Sequence, residues 1–173
     1  MTELWGFLKS AFGIFETVST FVVIGASGYA IWLGLRGLLP VLLRLGNGLA
    51  KRKIAIFAKS DNIDGLESLF ADSKLFDSKN IIRISNSGDF GRAETASVFL
   101  VHWPDWSDEL SQILERKRDA TALIVYAPQG SGHLPPEAIK NLERHRNVTL
   151  TNFRGRLLND VVVSLITTGY EKR

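Results

Sequence analysis

The spacing of apolar positions changes character twice along the chain. Residues 17–35 form 19 consecutive positions without a charge, TVSTFVVIGASGYAIWLGL. At 1.5 Å per residue this run matches a hydrocarbon core of about 30 Å. It predicts a transmembrane helix over 17–35, with Tyr29 and Trp32 towards one end, where amphipathic rings favour the interface. Before it, Leu4, Trp5, Leu8, Phe12 and Phe15 recur at helical spacing in a segment too short to cross, which predicts an interfacial helix over 1–16. After it, RGLLPVLLRLGNGLAKRK reads as a basic amphipathic juxtamembrane segment over 36–53. Its leucines rest on lipid while Arg36, Arg44, Lys51, Arg52 and Lys53 meet anionic head groups. Gly46, Asn47 and Gly48 mark its end and a short linker. Two spans, over 4–24 and 27–45, would bury Arg36, Pro40 and Arg44 in the second, a costly arrangement.

From residue 54 the pattern is α/β. Short apolar runs at 54–58, 81–84, 97–101, 121–126 and 148–150 predict five strands. Between them, Ile63, Leu66, Leu69 and Phe70 have helical spacing, as do Leu110, Ile113 and Leu114 in a helix beginning near Asp105. Pro135, Pro136 and Glu137 open another helix, because proline suits a first turn. Leu157, Leu158, Val161, Val162, Leu165 and Ile166 form the stripe of a last helix that stops near Gly169. Alternation of this kind predicts an α/β fold, a five-stranded parallel flavodoxin-like sheet in the order 2-1-3-4-5 with helices on both faces. Only SNSGDFGRAETA joins strands 2 and 3, so the helix there shrinks to a turn or two within 90–95. The chain thus divides into 1–16, 17–35, 36–53 and a domain over 54–173.

Charge fixes the expected orientation. Residues 1–53 hold six Lys/Arg and two Asp/Glu, whereas the rest hold 15 and 16, so the net +3 comes from the membrane flank. Lys9 is the sole basic side chain before the span. The positive-inside bias predicts a single-pass protein of the cell (inner) membrane, with a short N-terminus outside and the C-terminal domain cytoplasmic. The start is mixed, with Glu3, Lys9 and Glu16, and the apolar run continues past any cleavage point near Ala30, so no signal peptide is expected. A domain this near neutrality is a poor phosphate-backbone binder, which argues against a nucleic-acid partner. With no cysteine, disulfides and thiolate metal sites are excluded. Within the span Ala26, Ala30 and Gly34 recur every four residues, a pattern that lets membrane helices approach and predicts a homo-oligomer.

Candidate chemistry gathers where strands should end. In VHWPDWSDEL, Asp105 or Ser107 can cap the following helix. Continuing that helix puts Trp106 on the buried stripe with Leu110 and Ile113, Glu109 on its shoulder, and Asp108 in water. Lys59, Ser60, Asp61 and Asn62 follow strand 1. Gln129, Gly130, Ser131, Gly132 and His133 follow strand 4, where free amides ahead of a helix can receive a phosphate or simply form a loop. Arg154 and Arg156 follow strand 5 and could clamp an anion or merely be solvated. The histidines His102, His133 and His145 lack metal-ligand spacing, and no metal site is expected.

Strand, loop, Trp106-Ser107-Asp108-Glu109-Leu110, then Ile113, Leu114, Glu115 and the strand ALIVYAP together resemble the TIR domain, in topology over 54–166 and in motif over 97–128. The resemblance implies a role for Glu109 in cleaving the glycosidic bond of NAD or making cyclic ADP-ribose isomers, with Trp106 shaping the pocket. It also implies a bacterial defence setting, where such domains and short membrane anchors recur. The chain departs from the family after strand 2, where SNSGDFGRAETA replaces a longer region that includes the BB loop. Three readings follow. One is a membrane-anchored signalling or effector module that binds a nucleotide-type or protein signal and needs no cofactor. The second is an NAD glycohydrolase or cyclase using Glu109; the third is a non-enzymatic scaffold that recruits a protein partner to the membrane.

Overall fold

The structure, a computed structural model, describes residues 2–130 and 134–168. One helix, α1 (Thr2–Lys51), runs through the three N-terminal segments expected. Within it Phe15–Leu43, 29 residues of mean hydropathy 1.7, is long and apolar enough to cross a membrane. This stretch is longer than 17–35 because it takes in Arg36, whose guanidinium lies 5.1 Å from the Trp32 ring centre. The hydroxyls of Thr17 and Thr20 donate to the Gly13 and Glu16 carbonyls at 2.8 Å, so neither hydroxyl is left unsatisfied on an apolar helix. The side chains of Leu4, Trp5, Leu8 and Phe12 lie outside the described residues, whereas the last helix ends at Thr167, two residues before Gly169. Gly46, Asn47 and Gly48 do not end α1. A glycine costs only about 1 kcal/mol inside a helix, and the final turn has a tertiary tie: Asn80 Nδ2 donates to the Ala50 carbonyl at 3.0 Å.

Residues after Leu43 form a separate compact unit. Its strands are β1 (Ile54–Phe57), β2 (Ile81–Ile84), β3 (Val98–His102), β4 (Ala122–Tyr126) and β5 (Val148–Thr151), all parallel, in the order β2-β1-β3-β4-β5. Between them lie α2 (Ser60–Asp72), α3 (Phe90–Ala93), α4 (Trp103–Trp106), α5 (Leu110–Arg116), α6 (Pro136–Glu143) and, at the end, α7 (Leu157–Thr167). The two-residue period of a strand sorts the core into two layers. Ala55, Phe57, Phe99, Val101, Leu123 and Val125 face α3, α4, α5 and α6. Ile54, Ile56, Val98, Leu100 and Ile124 face α2 and α7. Every residue of β1, β3 and β4 is buried, as a sheet covered on both faces requires.

The 2-to-3 crossover is as short as the sequence implies, a 3-10 turn at Ser87–Asp89 followed by α3. The helix expected from Asp105 is broken into α4 and α5, with residues 107–109 between them. Trp106, Leu110, Ile113 and Leu114 are nonetheless all buried, so the apolar stripe survives the break. β3 begins and ends one residue later than the apolar run 97–101 suggests, which brings His102 into the sheet. At the other edge of the sheet, Arg52 Nη1 donates to the carbonyls of Leu165 and Thr168. A cation thus satisfies the carbonyls at the C-terminus of α7, where the helix dipole is negative.

Candidate functional site

The strand order sets β1 beside β3, with Phe57 opposite Val101, so the loops leaving these strands meet at the carboxyl edge. Asp105 joins them. Its Oδ2 accepts the Lys59 backbone N–H at 2.8 Å, and both its oxygens lie 3.1 Å from the donating Asn62 Nδ2. His102 Nδ1 sits 2.9 Å from Asp105 Oδ2, at ion-pair distance but off the hydrogen-bonding line. Asp105 is therefore not the helix cap that its position suggests, and neither α4 nor α5 has a side-chain cap. Both carboxylate oxygens are turned to two donors of the segment after β1, the Lys59 amide and the Asn62 side chain, rather than to the amides of its own helix. Beside this junction Ser60 has φ +49, a left-handed conformation that costs a side-chain-bearing residue roughly 1 kcal/mol.

Lys59, Trp106 and Glu109 form a second group. Trp106 is fully buried, against Phe57 and Phe90 at ring-centre distances of 5.8 and 5.4 Å. Lys59 Nζ lies 4.6 Å from the Trp106 ring centre and 3.5 Å from Glu109 Oε1. Glu109 stays half-buried as expected, but it stands at the turn before α5 rather than on a helix shoulder. Trp106 is accordingly a floor beneath the Lys59 ammonium, not a wall open to ligand. Asp108 is exposed, as expected.

A hollow of about 140 Å³ opens on the other side of Asn62, lined by Asp61, Asn62, Gly65, His102, Tyr126 and Arg154 among others. The His102 and Tyr126 rings are 5.8 Å apart. Arg154 holds its place there by donating to the Gly65 carbonyl at 2.6 Å. Arg156 does not join it: its Nη2 lies 3.9 Å from Asp160 Oδ1, one helical turn on. The two arginines therefore form no clamp. Gly130 lines a separate hollow of about 510 Å³ with Leu134, Ile139, Leu150 and Asn152, and its φ of +85 is one that glycine accepts readily. Ser131, Gly132 and His133 lie outside the described residues. Glu109 lines neither of these two hollows.

The carboxyl edge thus brings Lys59, Asp61, Asn62 and Arg154 together with His102, Asp105 and Tyr126. The missing signal was topological: Asp105 and Asn62 are far apart in sequence, but each follows the end of one of two adjacent strands. Among the described residues no group of His, Asp and Glu could hold a metal ion. Comparison of the chain with protein-family models, curated proteins and solved structures found no match.

Proposed function

We propose that the chain is a membrane-anchored signalling or effector protein, of the kind found in bacterial defence, whose TIR-like, flavodoxin-like domain binds a small polar signal at the carboxyl edge of its sheet. The observation that carries this reading is the hollow beside Asp105. A carboxylate (Asp61), an amide (Asn62), an imidazole (His102), a phenol ring (Tyr126) and a guanidinium (Arg154) converge there on about 140 Å³. Donors, acceptors and a ring of this kind suit a base or sugar fragment of a nucleotide, or a peptide end. The volume is below the roughly 300–1,000 Å³ of sites that enclose a whole drug-sized ligand. The two loops are tied together at Asp105 by the Lys59 amide and the Asn62 side chain, the preorganisation a recognition site needs.

Titration calorimetry of the detergent-solubilised full chain against ADP-ribose, NAD and cyclic nucleotides tests the reading. Binding of one of them, weakened about tenfold or more in Arg154→Gln, is expected, a loss of about 1.4 kcal/mol. Heats of dilution alone for the whole panel would remove nucleotides from consideration and leave a peptide signal.

A second reading, an NAD glycohydrolase or cyclase, draws on Lys59, Trp106 and Glu109 standing together at the same edge. In it Glu109 stabilises or traps the ribosyl cation. Nicotinamide release from NAD by the wild type and its loss in Glu109→Gln would support that role. No release by the assembled protein, or equal release by both forms, sinks it.

A further inference from the structure

Dividing the charge by sheet edge, rather than by domain, exposes a polarity that the net charge hides. In a parallel sheet all strands begin at one edge and end at the other. The segments leading into strands (52–53, 73–80, 94–97, 117–121 and 144–147) carry eight Lys/Arg and three Asp/Glu. The segments leaving them (58–59, 85–89, 103–109, 127–135 and 152–156) carry three and four. The amino edge is therefore basic and the carboxyl edge, which holds the candidate site, is not.

The basic edge is also where α1 ends, and it has an apolar tip. The loop between α2 and β2 packs beside the last turns of α1: Lys74, Leu75, Phe76, Asp77 and Lys79 share a hollow with Gly46 and Ala50. Phe76 is buried there, whereas its neighbour Leu75 is 47% exposed. Lys74, at φ +54, and Lys79 are both exposed on either side of it. Asp77 is the acid of this loop, and Lys79 offsets it with Nζ at 2.6 Å from Oδ2. Ala50 lies seven residues beyond Leu43, about 10 Å of helix. An exposed leucine flanked by Lys74 and by Lys79, the latter paired with Asp77, matches the chemistry of an anionic bilayer surface, where lysines meet head groups and the leucine enters the interface.

Taking α1 as membrane-spanning, as proposed above, we infer that the amino edge of the sheet is a second lipid contact, with the 73–80 loop docked on anionic head groups. This contact is additional to the basic flank of the span, because it belongs to loops remote from α1 in sequence.

The absence of cysteine makes a direct test simple. A bimane label at Leu75→Cys, in the full chain reconstituted into nanodiscs, should shift to the blue when the discs contain phosphatidylglycerol and not in pure phosphatidylcholine. The shift should vanish in the added background of Lys74→Glu and Lys79→Glu, and fall with salt. A label at Ser107→Cys, on the carboxyl edge, should not respond in either disc. Chain that is retained by discs but shows no shift at position 75, or a shift at 107 instead, overturns the docking alone. A shift at 75 produced by single-stranded RNA and not by anionic lipid overturns it too. Chain stripped from vesicles by carbonate overturns the membrane-spanning reading, and the docking with it.

Discussion

Asp105 shows how one side chain can serve two loops at once. It accepts from the Lys59 amide and the Asn62 side chain and lies against His102. Asp105→Asn keeps the shape but loses the charge, and its amide nitrogen would face a donor. A hydrogen bond to a charged group is worth about 1.5–3 kcal/mol. Urea denaturation of the variant should therefore show a loss in that range, with residues near Lys59 the first to gain amide exchange. Lys117 is the converse case. Burial holds its ammonium below the usual lysine range, with Asp119 only partly offsetting. A lysine depressed in the folded state destabilises the fold while it stays charged, and that penalty is relieved as pH rises through the folded pKa towards the unfolded one. Lys117→Met should thus raise the melting temperature at neutral pH, by less than about 1 kcal/mol of stability because the group is still partly screened by water. The gain should shrink in strongly alkaline buffer.

At the scale of elements, much was legible because one force dominated. β1, β3 and β4 are covered on both faces, so their sequences are unbroken apolar runs, and the order follows from short crossovers. The break between α4 and α5 was not legible, since the buried stripe of Trp106, Leu110 and Ile113 continues straight through it. Periodicity reports which side is buried, not whether the backbone between stays helical. Asp105 was misread for a related reason: an acid at a helix start looks the same whether it caps its own helix or bonds a distant loop. In α1 the small residues Ala26, Ala30 and Gly34 are exposed, and a side chain added at Gly34 would meet nothing within 4 Å. Gly34→Leu should therefore leave the helix itself intact. If this stripe mediates self-association, the same change should reduce cross-linked dimers in membranes; unchanged cross-linking would leave the helix as a tether only.

For the molecule as a whole, the joint between helix and sheet sets how mechanical load is carried. Only Arg52 and Lys53 separate α1 from β1, and Arg52 grips the final carbonyls of α7. A pull arriving through Lys51 therefore meets β1, which is hydrogen-bonded to β2 on one side and β3 on the other, together with the domain's last helix. Tension cannot peel an edge strand away one bond at a time. It must shear a strand from the interior of the sheet, so traction on α1 loads the domain where it is hardest to unravel.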